Sequence, residues 1–170
     1  IFKTQFRSKY NPTGPLRSGN CGPASVAMAI KAFGLEPSGL TVEQSIDRTR
    51  KLMTGNTDDN DPTNNLERLR GAQRAGLKAK PMASMAHLDA ELAAGHMVTV
   101  VGKPVGAYRD VFPRYPSFDG LHSMLVVGRT ADGRYVVNDP VSHHGPRTMT
   151  RAQLSAFWSK GGGSGTAMWR

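Results

Sequence analysis

The sequence predicts an α+β fold in which an N-terminal helical lobe packs on a C-terminal antiparallel β-sheet. Three observations predict it. Apolar residues recur at helical spacing through about residues 20–95, and valine-rich runs bounded by turn residues follow through about 96–170. An Asp132-Gly133 pair then joins two of those runs as a hairpin. At 170 residues the chain has the length of one domain, spanning 1–170, and enough residues to bury a substantial core.

Each element has a local reason. A first helix runs from about Gly22 to Phe33, with Val26, Ile30 and Phe33 on one face and Gly34 as its stop. A second starts at Thr41, whose spacing to Gln44 is that of a capping box, and fades near Gly55. The third follows Asp61-Pro62-Thr63, is expected to bury Leu66 and Leu69, and ends by Gly76. The fourth starts after Ser84 and carries Leu88 and Leu92 to Gly95. Met97–Val101 reads as a buried strand, and residues 122–128 and 134–138 as a strand pair. Thr150 and Gln153 again have capping-box spacing, before a short helix with Leu154, Phe157 and Trp158, and Thr166–Trp169 is expected to close the sheet as an edge strand.

The chemistry concentrates at three places. Cys21, the only cysteine, stands in Asn20-Cys21-Gly22-Pro23, where a glycine-containing loop enters the first helix. First-turn N–H groups lack internal partners and carry partial positive charge, which favours thiolate there. A free cysteine is also a common core residue, so Cys21 alone decides nothing. If the hairpin folds about Ala131 and Asp132, His122 at the start of one strand lies within about two positions of Asp139 at the end of the other. A thiol, an imidazole and a carboxylate so related form a Cys-His-Asp set suited to acyl transfer.

These three segments, Cys21-Gly22-Pro23 opening a helix, His122 leading an apolar strand and Asn138-Asp139-Pro140 closing the next, resemble the papain-like cysteine peptidases of the bacteriocin-processing type. That family includes the peptidase domains of bacterial peptide exporters, which cut after paired glycines. The resemblance covers nearly the whole chain and implies a papain-like fold with the active site between helices and sheet. It also implies a cysteine protease acting on a protein substrate through Cys21, His122 and Asp139. The oxyanion hole of such enzymes takes a glutamine side chain upstream of the nucleophile; here Gln5 is the candidate, with Asn20, otherwise a helix N-cap, as the alternative. The aromatics Tyr108, Phe112, Tyr115 and Phe118, in a long loop leading into His122, are candidates for a substrate groove. Gly161-Gly162-Gly163 is either a self-cleavage site or a flexible loop.

Composition narrows the classes further. One cysteine excludes a disulfide framework and a cysteine-based zinc site, and the five histidines show no familiar metal spacing, so no cofactor and no metal are expected. No apolar run approaches a membrane span and no signal peptide leads the chain, so no membrane is expected as a partner. The net charge of +9 arises from scattered lysines and arginines without aromatic interleaving, and nucleic acid is not expected as a partner. Arg48, Arg50 and Lys51, with Arg68, Arg70 and Arg74, read as a solvated basic surface or a docking face for an acidic protein. The start at Ile1 and the basic charge resemble the protease domains of secreted bacterial effectors and toxins, which act in a neighbouring cell's cytoplasm and are held by an acidic immunity protein. A glutamine deamidase, a transglutaminase-like toxin or a peptidoglycan amidase would use the same three residues.

Overall fold

The computed structural model describes residues 2–4, 19–57, 61–104, 120–142 and 145–170. The elements in chain order are α1 (Cys21–Ala32), α2 (Val42–Thr54), α3 (Asn65–Arg74), β1 (Lys78–Met82), α4 (Met85–Ala93), β2 (Met97–Gly102), β3 (His122–Arg129), β4 (Tyr135–Asn138), β5 (Arg147–Met149), α5 (Arg151–Ser159) and β6 (Gly165–Trp169). The strands form one antiparallel sheet in the order β1-β6-β2-β3-β4-β5. Among the described residues no helix is long and apolar enough to cross a membrane.

Strand alternation sorts the core into two layers. Met124 and Val126 of β3, with Val98 and Val100 of β2, join Leu88 of α4 and Leu154, Phe157 and Trp158 of α5. Their neighbours Leu125 and Val127 instead meet Val26 and Ile30 of α1, Met53 of α2 and Ala72 of α3. Helices therefore cover both faces, which explains why the central strands read as continuous apolar runs. The capping boxes at Thr41/Gln44 and Thr150/Gln153 form as their spacing predicts, and Asn64 with Glu67 makes another.

Three readings need correction. Thr166–Trp169 lies in β6, inside the sheet between β1 and β2 rather than at its edge. The edges belong to β5 and to β1, the latter a lysine- and proline-containing strand within the stretch read as helical. Lysine and proline blunt edge strands, and for the same reason they hide them from an apolar pattern. Finally, α3 leaves Leu66 52 % exposed and buries Arg68, Gly71 and Ala72, because its inward stripe is set by Ala72 rather than by its leucines.

The β3-β4 hairpin positions the site through one irregularity. Near its tip Arg129 pairs with Tyr135 and Gly128 with Val136, whereas Val126 pairs with Val137 and Leu125 with Asn138. Val127 is thus an extra residue, a bulge that moves the register by one. Continued one step, the pairing sets Asp139 opposite Met124, on the face that His122 shares with Met124. Without the bulge Asp139 would oppose Leu125, whose side chain enters the other layer.

Candidate active site

Cys21 is the first residue of α1, and Pro23 fits the first turn because its missing N–H costs no helical bond. Ser25 ties this turn to β3, its hydroxyl donating to the carbonyl of Ser123 at 3.3 Å. The half-buried thiol and the His122 imidazole are hydrogen-bonded to each other. His122 Nε2 lies 2.6 Å from Asp139 Oδ1, and the two side chains are 2 % and 0 % exposed. With Nε2 committed to the carboxylate, Nδ1 is the nitrogen left for Cys21. Asp139 is itself held by the backbone N–H of Val141, which donates to the same Oδ1 at 3.0 Å. The ring of Phe157 meets the imidazole edge to face, with centroids 6.5 Å apart.

The electrostatics favour a charged pair. Burial raises the Cys21 thiol, yet the bond and charge of His122, a backbone hydrogen bond from Ser123 and the charge of Arg68 outweigh it and hold the thiol below its ordinary value. Burial likewise disfavours the imidazolium. The Asp139 carboxylate, with Cys21 adding to it, overcomes that penalty and raises His122 to about 10. Both shifts run in the direction that favours a thiolate beside an imidazolium.

The pair opens on a cleft of about 340 Å³ walled by Thr63 and Arg68 on one side and by Leu121, Ser123 and Val101 on the other. Gly161 forms part of that wall. A Cβ there would lie 2.1 Å from the carbonyl oxygen of Val101, so only glycine permits this approach. Gly161 and Gly163 both donate to the carbonyl of Trp158, at 3.0 and 3.3 Å. The triple glycine forms a hydrogen-bonded turn at the end of α5.

Asn20 is fully buried and stands at the N-cap position of α1 without a side-chain cap bond: its Oδ1 accepts a 2.8 Å bond from Arg50 Nε. Arg50 also donates to the carbonyls of Gly19 at 2.7 Å and Asp61 at 2.9 Å. The N-cap reading therefore holds for the position, whose carbonyl accepts the first helical bond from Ala24 at 2.9 Å, while the side-chain oxygen that would cap α1 is engaged by α2. Arg50 and Arg68, 0 % and 3 % exposed, are no part of a solvated surface. Gln5, Tyr108, Phe112, Tyr115 and Phe118 lie outside the described residues. The contribution of Thr63 and Arg68 escaped the sequence reading; its one trace was an arginine three positions from Gly71 and four from Ala72, the small residues where α3 packs closest.

Comparison with known proteins places this geometry in context. The model of the Peptidase_C39 like family matches residues 3–166. Among solved structures, a protein described as a C39-like peptidase from Bacillus anthracis aligns with a TM-score of 0.63 at 14% identity, over 100% of this chain and 94% of that one. The peptidase domain of Streptococcus ComA, a bi-functional ABC transporter involved in quorum sensing, gives 0.58 at 20% identity, over 92% and 94%. A double glycine motif protease from an AMS/PCAT transporter, in complex with the leader peptide, gives 0.55 at 17% identity, over 99% and 97%. These likenesses establish the shared fold. No curated protein matches the chain significantly.

Proposed function

Because the chain belongs to the Peptidase_C39 like family and is a cysteine peptidase, we propose that Cys21 is its nucleophile, His122 its general acid and base, and Asp139 the residue that orients and charges the imidazole. The observation that carries this reading is the buried 2.6 Å His122–Asp139 contact beside a thiol held below its ordinary pKa. The thiolate attacks the scissile carbonyl, and the developing oxyanion is met by first-turn N–H groups of α1 and the side chain of Gln5. As the tetrahedral intermediate collapses, the C–N bond breaks and the imidazolium gives its proton to the leaving amine. Water, deprotonated by the now neutral His122, then attacks the thioester and returns Cys21 as the leaving thiolate.

The substrate is a protein cut beside small residues such as Gly-Gly. The small Gly161 side of the cleft supports this, as does the double glycine motif protease bound to a leader peptide among the structural neighbours. In the wider role we propose, the chain is the toxin domain of a secreted antibacterial effector acting in a target-cell cytoplasm, bound by an acidic immunity protein. The net charge of +9 favours such a partner. The test compares new protein N-termini in a bacterial lysate exposed to this protein and to Cys21→Ala. Cysteine-dependent cuts flanked by small residues are expected. No new termini, with toxicity still lost in Cys21→Ala, would replace cleavage by side-chain deamidation or transfer.

A further inference from the structure

We propose that Arg68 is a positioning residue of this site, a buried fixed cation that holds Cys21 as thiolate and braces the turn that seats the start of α1. The inference rests on Cys21 being the nucleophile, and the geometry carries it from there. Arg68 Nη1 donates to the carbonyl of Thr63 at 2.7 Å. A Cβ added to Gly22, the neighbour of Cys21, would lie 2.1 Å from Thr63 Oγ1 and 3.5 Å from Arg68 Nη1, so the braced turn is pressed against α1. Thr63 and Arg68 wall the same cleft as Cys21 and His122.

The charge balance gives the arginine its purpose. Arg68 is 3 % exposed, makes no ion pair with a carboxylate among the described residues, and has a buried Nε without a hydrogen-bond partner. A guanidinium so enclosed is costly unless a negative charge stands near it. Glu67, its sequence neighbour, is engaged in the α3 cap. The remaining charged groups around the thiol are His122 from β3, with Asp139 behind it, and Arg50 of α2, which grips Gly19 and Asn20. Arg68 and the imidazolium balance the thiolate and the carboxylate, while the charge of Arg50 is spent on Asn20 Oδ1 and the carbonyls of Gly19 and Asp61. The mutual effect runs both ways: Cys21 acts to raise Arg68 against the burial that lowers it, and Arg68 acts to lower Cys21.

Alkylation by iodoacetamide across pH 4 to 9, followed by intact mass, reads the thiolate directly because the chain has a single cysteine. In Arg68→Gln the titration midpoint should move up, so that alkylation below the midpoint slows about tenfold while the plateau at high pH is unchanged. Arg68→Lys should keep the wild-type rate within about threefold, since it keeps the charge. A profile in Arg68→Gln that superimposes on wild type, or a lowered plateau with an unmoved midpoint, overturns the proposal. Should Arg68→Gln not fold, Arg68→Lys carries the test alone: a tenfold loss at low pH despite the retained charge overturns it. A wild-type midpoint at the ordinary thiol value would instead sink the nucleophile reading itself, and is told apart because it needs no variant.

Discussion

His122 has both ring nitrogens employed, and the consequences are measurable one residue at a time. Asp139 is the main support of the imidazolium, so Asp139→Asn should cut kcat about 100-fold or more on a cleaved substrate. It should also move the alkaline limb of the pH profile toward neutrality. The sign follows from the protonated form being required: a carboxylate raises the imidazole to about 10, and its loss lets the proton leave at lower pH. An unmoved alkaline limb in that variant would assign Asp139 a structural role only. At this scale the sequence was legible for the placement of Cys21, His122 and Asp139 side by side, since the motif marks the first and hairpin symmetry pairs the other two. It was illegible for Arg50 and Arg68, because an arginine anchoring a buried loop has the same letter as one in water. Only their partners, Gly19, Asn20 and Asp61 for one and Thr63 for the other, tell them apart.

Among the elements, helices with caps were readable and strands without apolar alternation were not. Thr41 and Thr150 announce α2 and α5 through a local bond three residues long, whereas β1 and the three-residue β5 exist only because neighbouring strands accept them. Thr150→Ala should therefore cost about 1 kcal/mol in urea unfolding without affecting cleavage. A larger effect is expected at the contact between β2 and α5. A Cβ on Gly102 would stand 2.1 Å from the carbonyl oxygen of Phe157, and Gly102 pairs directly with His122. Gly102→Ala must push α5 or β2 away, at a cost of about 1–3 kcal/mol. Because Phe157 packs on the imidazole, activity should fall in parallel; unchanged stability in Gly102→Ala would mean the spacing is softer than its geometry implies.

Across the whole molecule, the thiol and the imidazole link folding to pH in opposite directions. A raised His122 contributes stability that is complete below 6.5 and lost as pH rises through about 10. A lowered Cys21 contributes stability that is present above the ordinary thiol value of 9.0 and lost as pH falls through its folded value. Between the folded value of Cys21 and 9.0 the two slopes oppose each other in the wild type, and Cys21→Ala leaves only a histidine slope, one that ends at a lower pH because Cys21 helps to raise His122. The stability of wild type relative to Cys21→Ala should thus grow as pH rises above the folded value of Cys21 and cease to grow by about 9. Urea titrations at pH 6, 7, 8, 9 and 10 check this, and a difference independent of pH would show that the pair is neutral in the folded state.

The bulge at Val127 also separates the hairpin into two stretches with different tolerance for editing. Its tip, with Ala131 and Asp132 exposed, lies roughly 25 Å along β3 from His122. Pairing beyond the bulge is set by the bulge and by Val126↔Val137, not by the length of the tip. An epitope tag or a fluorophore-bearing peptide inserted between Ala131 and Asp132 should therefore leave Asp139 on the face of His122. Deletion of the single residue Val127 should turn that carboxylate away. The same loop thus offers a handle for immobilising or labelling the peptidase with its cleft free.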